Sequence, residues 1–374
     1  MELETTKLIN LSNIKNDIKS SSSLQKDLKK LTNILQLIIT LLCLFFILIL
    51  LILFFILNAK NLVIRFLENK NRIKDFNYYI EIQNYFCDYI HLVYDKQIED
   101  ELDLFNVSLG DSTFEMFLYK NDDYISNQIR KQQYLNDKET LNILKALKAF
   151  ASDNNILNPK EVVMIDIGGN IGWYPTYLGT FKYTIITFEP YSKNYYVLKK
   201  NYCRNNRDFF GDKSSLVIIN KGLYTDERIC DYYKDIYNKK KDLIFCDKSK
   251  IKNLDKDYKK IESVEMAKLN DYLQYFDNRR IALVRIDLDA EGAKAIETGN
   301  LLFSQFQVPY VFVEFNKKSF LERETKPENF FKEFLDDGYK ISFDGFFDNQ
   351  RRTVEEIINS KKDRIYLYLT FLRK

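Results

Sequence analysis

The chain has 374 residues, and 56 Lys and Arg against 53 Asp and Glu leave a formal net charge of +3, so no basic excess marks a nucleic-acid binder. Apolar residues at 46% and charged residues at 29% exclude global disorder. Only 11 residues are glycine, well below a usual share of about 7%, which excludes collagen-like and Gly-rich low-complexity chains and makes any glycine cluster informative. Five cysteines without a CxxC spacing and a single histidine argue against a Cys/His zinc site, so no metal is expected.

Residues 1–36 form a polar tail whose one low-complexity patch is Ser20 to Ser23. Residues 37–57 carry one hydroxyl, Thr40, and no charge, glycine or proline. As a helix they span about 31 Å at 1.5 Å per residue, close to the hydrocarbon thickness of a bilayer. Leu, Ile and Phe occur on every face, which favours a single-pass transmembrane anchor over a buried core helix. A cleavable signal peptide fits less well, because the stretch is long and follows a polar tail. Orientation stays open: residues 17–36 hold four Lys/Arg and residues 58–77 hold five, so the positive-inside rule finds no asymmetry. The two N-x-S/T sequons, at Asn10 and Asn106, fall one on each side of the anchor and do not decide it.

Residues 58–112, rich in aromatic and charged side chains, read as a juxtamembrane connector; His91 lies there and reads as a surface or packing residue. Beyond it a βα alternation begins. Leu141, Ile143, Leu144, Leu147 and Phe150 recur at helical spacing over 139–151. Short apolar runs predict buried strands at Val162–Ile167, Thr184–Phe188, Leu216–Ile219, Ile281–Ile286 and Tyr310–Phe315, with helices at 173–180, 191–204 and 293–303. A last strand pair is expected at Lys340–Phe343 and Arg364–Phe371. The pattern predicts an α/β, Rossmann-like fold with a mostly parallel central sheet over 113–374. Residues 234–260, with ten lysines against five aspartates, interrupt the alternation and read as a solvated insertion loop.

Three of the glycines crowd into Asp166-Ile-Gly-Gly-Asn-Ile-Gly172, between a predicted strand and a predicted helix. Such a turn lets backbone approach a ligand with no Cβ in the way. Pro175 suits the first helical turn, where its missing N–H costs nothing. A dinucleotide fingerprint would place the third glycine later, and an aspartate at the strand end would repel a pyrophosphate while attracting an ammonium. Glu189 ends the next strand 23 residues after Asp166, near the offset at which a carboxylate accepts hydrogen bonds from ribose hydroxyls. A ligand with both a ribose and a cationic amino-acid tail is S-adenosylmethionine. Asp166, Gly168, Gly169, Asn170, Gly172 and Glu189 are the candidate cofactor residues, and Trp173 is expected to line the loop or lie beneath it.

Val163-Met-Ile-Asp-Ile-Gly-Gly-Asn-Ile-Gly172, followed by Thr187-Phe-Glu-Pro190, resembles the FkbM family of S-adenosylmethionine-dependent methyltransferases. Further resemblances follow in the family's order: Tyr195 to Asn201, Ile219 to Tyr224, Lys268 to Leu273, Arg285-Ile-Asp-Leu-Asp-Ala-Glu-Gly292, and Val311 to Phe315. The resemblance implies a class I-type methyltransferase that O-methylates a hydroxyl of a sugar, glycan or related metabolite. Asp289 and Glu291, with Asp287 third, are nominated to bind or deprotonate the acceptor; the competing role is to cap the helix at 293–303. The segment departs from the family's Lys-Ile-Asp-x-Glu-Gly-Ala-Glu by an extra acidic pair, and Lys294 stands where a glutamate is expected. That departure motivates a second reading, a catalytically degenerate, membrane-anchored binding or scaffold module.

Overall fold

The computed structural model describes residues 29–49 except 32 and 43, residue 87, residues 96–206 except 122, and residues 216–235, 242–247, 254, 256–276, 280–288, 296–317, 320 and 326–371. The chain divides into two compact units, Met1–Lys74 and Asp75–Lys374. The polar tail up to residue 28 and His91 lie outside the described residues.

In the first unit, α1 (Lys29–Ile49) is long and apolar enough to cross a membrane. Its apolar side chains, Ile34, Leu37, Leu41, Phe45 and Phe46 among them, are exposed all around the helix. A helix apolar on every face needs an apolar surround. It starts earlier than the expected residue 37, and residues 50–57 fall outside the described residues.

The second unit begins with the short α2 (Lys96–Glu99) and a hairpin of β1 (Leu102–Leu109) and β2 (Ser112–Tyr119). The hairpin lies across the boundary expected at 112/113. Next come α3 (Tyr124–Gln132), α4 (Asp137–Asp153), β3 (Val162–Ile167), α5 (Trp173–Gly179), β4 (Thr184–Phe188), α6 (Ser192–Asn206) and β5 (Leu216–Ile219). Two asparagines one turn apart on α6 fasten the hairpin. The Asn201 amide oxygen accepts from Phe117 N at 2.6 Å, and that of Asn205 from Glu115 N at 2.8 Å. Their amide nitrogens donate to the carbonyls of the same two residues at 3.2 and 2.7 Å, extending the strand edge with side chains.

After β5, four strands between residues 222 and 267 form a second sheet; one of them lies inside the 234–260 stretch expected as a loop, and two overlap its ends. Its strands β6 (Gly222–Leu223), β7 (Arg228–Asp235), β8 (Leu243–Phe245) and β9 (Tyr258–Ala267) stand in the order β6-β9-β7-β8. The lysines hid the strands because β9 alternates: Lys259, Ile261 and Glu265 are exposed or partly so, while Val264 and Met266 face Tyr191, Tyr224, Cys230 and Tyr232 in a small core of their own.

The chain then returns to the main sheet with β10 (Arg280–Leu288), α7 (Asn300–Phe306), β11 (Tyr310–Asn316), α8 (Pro327–Asp336), β12 (Tyr339–Ser342), α9 (Val354–Ile358) and β13 (Arg364–Phe371). Seven strands lie in the order β12-β13-β11-β10-β3-β4-β5. The neighbours from β11 to β5 are parallel, and β13 runs antiparallel to both β11 and β12. This is the α/β, Rossmann-like architecture with a mostly parallel sheet that the pattern predicts. Every residue of β3 is buried: Val163, Ile165 and Ile167 enter one core, and Val162 and Met164 enter the other. A strand covered on both faces reads as an unbroken apolar run, which is why its limits were legible.

Strand order reverses between β3 and β10, so the connections leaving these adjacent strands diverge. In open α/β sheets the crevice at the carboxyl ends of such a pair is where ligands bind.

Candidate active site

The glycine loop leaves β3 at that crevice. Gly168 N and Gly169 N both donate to Phe188 O at 3.0 Å, fastening the loop to the end of β4. Gly168 and Gly172 have φ of +92° and +87°, a region costly for any residue with a side chain. The missing side chains also face inward. A Cβ on Gly169 would stand 2.2 Å from Thr187 Oγ1, and one on Gly172 would stand 2.8 Å from Leu198 Cγ. On Gly168 it would meet the Asp287 carbonyl at 2.9 Å. Beside the expected room for a ligand, these glycines let the loop seat against β4, α6 and the end of β10.

The loop and Glu189 form one unit. Asn170 N donates to Glu189 Oε2 at 2.7 Å and Tyr191 N to Oε1 at 3.0 Å, so backbone groups from both sides hold the carboxylate. Glu189 is 5% exposed, and burial pushes its carboxyl up to about 7 against the pull of those two N–H groups. Asn170, at φ +50°, turns its amide oxygen back to Ile171 N at 2.7 Å. Asn220, just past β5, donates to the backbone oxygens of Glu189 and Pro190 at 2.9 and 3.2 Å. Tyr191 continues this wall by stacking on Tyr232 of the second sheet, ring centroids 4.6 Å apart.

Asp166 takes a different position from the one expected of an ammonium ligand. It is fully buried; Oδ1 pairs with Arg285 at 2.7 Å and Oδ2 accepts from Thr187 at 3.3 Å. Arg285 lies opposite Asp166 in the β10–β3 register, and Asp287 lies opposite Glu314 in the β10–β11 register. Residues two apart on a strand share a face, so the guanidinium also reaches Asp287 Oδ2 at 2.9 Å and Glu314 Oε2 at 3.8 Å. It donates to Gly168 O at 3.0 Å as well, tying the loop to β10. Burial pulls the Arg285 guanidinium down, but Asp166 and Asp287 outweigh it and hold it charged. Burial pushes the Asp166 carboxyl up and Arg285 pulls it back, leaving it above the usual aspartate range. Arg364 adds a second cation, 3.0 Å from Glu314 Oε1.

Tyr174 completes the cluster. Its ring lies 4.4 Å from the Arg285 guanidinium carbon, and its hydroxyl is buried with no hydrogen-bond partner among the described residues. Burial pushes that hydroxyl upward in pKa, so it stays protonated and able to donate. Trp173 lies beneath the loop: its indole N–H donates to Thr140 at 3.0 Å, and its ring sits among Phe114 and Tyr177.

The structure thus brings together Asp166, Gly168, Gly169, Asn170, Gly172, Glu189 and Asp287. Asp289 and Glu291 lie outside the described residues. Among the described residues no group of His, Cys, Asp and Glu is arranged to hold a metal ion. Sequence reasoning missed Arg285, Arg364 and Tyr174, while Glu314 was among the acids expected at these strand ends. Arg285 left a signal, as the one charge inside the apolar run Ile281–Ile286: a cation buried in a strand requires carboxylates nearby.

A ribose and an aminoacyl tail fit these groups. Glu189 offers carboxylate lone pairs beyond the two its backbone donors use. Asp287, its side chain 21% exposed, is the acid of the Arg285 cluster that solvent reaches most.

No protein-family model matches the chain, and no curated protein sequence matches it. Solved structures overlap it in part. Magnesium protoporphyrin IX methyltransferase from Synechocystis PCC 6803, with bound SAM, is 9% identical with a TM-score of 0.33, covering 81% of this chain and 99% of that one. The methyltransferase FkbM from Methylobacillus flagellatus KT is 11% identical with a TM-score of 0.34, covering 67% and 61%. The N-terminal domain of human METTL16 in complex with SAH is 12% identical with a TM-score of 0.33, covering 82% and 97%. The fold assignment rests on the strand order and registers described above.

Proposed function

We propose that the second unit is an S-adenosylmethionine-dependent methyltransferase of the FkbM type, acting on a hydroxyl oxygen of a sugar, glycan or related metabolite and anchored in a membrane by the apolar helix. One observation carries the reading: a glycine loop at the switch point, locked through Asn170 N–H to a buried carboxylate at the end of the next strand. Glu189 receives the ribose hydroxyls. The backbone of Gly168, Gly169, Asn170 and Gly172 borders the aminoacyl tail, and Asp287 attracts its ammonium. Asp166 acts one step back, fixing Arg285 and through it the loop.

The cofactor supplies an electrophilic methyl group on a sulfonium with a good leaving group. The chain's own work is to hold the acceptor oxygen in line with that methyl and to exclude water. Asp289 and Glu291, on the segment that follows β10, are the nominated acceptor ligands and base, and the protonated Tyr174 hydroxyl is a donor near the same strand ends. A second reading has its own support. Asp287 is tied to Arg285, and Lys294 replaces an expected glutamate, which suits a module that binds the cofactor and transfers nothing.

Calorimetry on the full chain in detergent tests both. Micromolar binding of S-adenosylhomocysteine, with none of NAD, is expected; no binding refutes the cofactor assignment. Transfer of radiolabelled methyl to a glycan pool then distinguishes enzyme from scaffold, and binding without transfer to any hydroxyl acceptor favours the scaffold.

A further inference from the structure

Among the described residues, Cys87 and Cys203 form one disulfide and Cys230 and Cys246 another. The fifth cysteine, Cys43, falls within the apolar segment of the sequence. The two bonds are independent. The first ties residue 87 to the buried face of α6 across a separation of 116 residues; the second joins β7 to the chain just past β8 across 16. Cys203 and Cys230 are 2% and 1% exposed, so these are interior crosslinks. Such bonds persist outside the reducing cytosol, in the secretory lumen, the periplasm or the extracellular space.

The same side of the membrane carries one of the two sequons. Asn10 precedes the apolar segment and Asn106 follows it. Asn106 lies on β1 in Asn106-Val107-Ser108, where Asn106 and Ser108 are exposed and Val107 is buried. We infer that the chain following the apolar segment lies on the oxidising face of its membrane, and that Asn106 is an N-glycan acceptor there. The inference rests on the proposed membrane anchor and is independent of the proposed methyl transfer.

The chemistry balances with compartment reagents. Each cysteine pair gives up two electrons and two protons to an oxidised dithiol catalyst by disulfide exchange. At Asn106 a bond forms between Nδ2 and the anomeric carbon of a diphospholipid-linked oligosaccharide. The sugar–oxygen bond to the diphosphate breaks, and the amide proton leaves with that anion. The near-equal Lys/Arg counts flanking the anchor do not oppose this orientation.

The test uses the full chain synthesised into sealed endoplasmic-reticulum microsomes. After denaturation without reductant, a polyethylene-glycol maleimide is expected to label one thiol, and five after reduction. Five labelled thiols before reduction overturn the inference. Endoglycosidase treatment is expected to remove one glycan, absent from both Asn106→Gln and Ser108→Ala and retained in Asn10→Gln. A glycan lost only with Asn10→Gln overturns the orientation, and an unglycosylated chain carrying both disulfides overturns the Asn106 assignment. Added protease is expected to spare the second unit until detergent opens the vesicles; digestion of intact vesicles down to the anchor refutes the placement.

Discussion

Acidification provides the sharpest test of the loop–Glu189 unit. An ordinary glutamate titrates near 4.5, and burial moves Glu189 to about 7. At 1.36 kcal/mol per pH unit, that gap amounts to about 3 kcal/mol. In the empty protein the folded state keeps a proton that the unfolded chain has released, so this group's contribution to stability falls as pH rises from 4.5 to about 7. Ligand binding reverses the preference. Ribose hydroxyls donate to the ionised carboxylate, so a bound ribose returns the group toward its ordinary range and binding expels a proton. If the bound state titrates near 4.5, affinity for S-adenosylhomocysteine weakens about twentyfold from pH 7.5 to 5.5, and about three-quarters of a proton is released per binding event at pH 6.5. Calorimetry in buffers of different ionisation enthalpy reads both. Glu189→Gln keeps the size and removes the titration, so its affinity is expected to be weaker and flat with pH. Wild-type affinity constant over this range, or the same slope in Glu189→Gln, refutes the assignment of Glu189 to the ribose.

Gly169→Ala forces a Cβ into Thr187 and Leu198; the expected cost is about 1–3 kcal/mol by urea unfolding, with loss of thermal protection by S-adenosylhomocysteine. Arg285→Met leaves Asp166 buried without its cation, while Arg364 still pairs with Glu314; the expected loss is about 3–5 kcal/mol. Adding Asp166→Asn is expected to recover part of it, and a double variant no more stable than the single one refutes the charge argument. The disulfides rank by loop length: on chain entropy, Cys87→Ser costs about 5 kcal/mol and Cys230→Ser about 3. Equal melting temperatures for the two variants contradict that order.

The main sheet was legible because its strands are buried on both faces. Val162–Ile167, Thr184–Phe188, Leu216–Ile219 and Arg364–Phe371 have the same limits in sequence pattern and structure. The second sheet and the first hairpin were not. The strand Leu102–Leu109 mixes Asp103, Asn106 and Ser108 with apolar residues, and its fastening to Asn201 and Asn205 is a tertiary fact with no local signature. The candidate cofactor residues stood out in the sequence because a glycine loop and a spaced acid lie within one βαβ unit. The Arg285 cluster draws on β3, β10, β11 and β13, and its central pair, Asp166 and Arg285, is 119 residues apart in the chain, although the cation stood visible in an apolar run. The cysteines pair over 116 residues and over 16, and neither spacing names its partner.

Those cysteine pairs impose a logistical requirement on the proposed chemistry. A sulfonium-bearing amino acid keeps its positive charge at every pH, and such an ion does not partition through about 30 Å of hydrocarbon. A methyltransferase domain folded in an oxidising compartment is therefore cut off from a donor made in the cytosol. It depends on a carrier that imports the charged donor, and its turnover stalls unless the demethylated thioether is removed. An antiporter exchanging one for the other would meet both needs, so the supply of methyl groups would be regulated at the membrane that holds the anchor as well as at the active site.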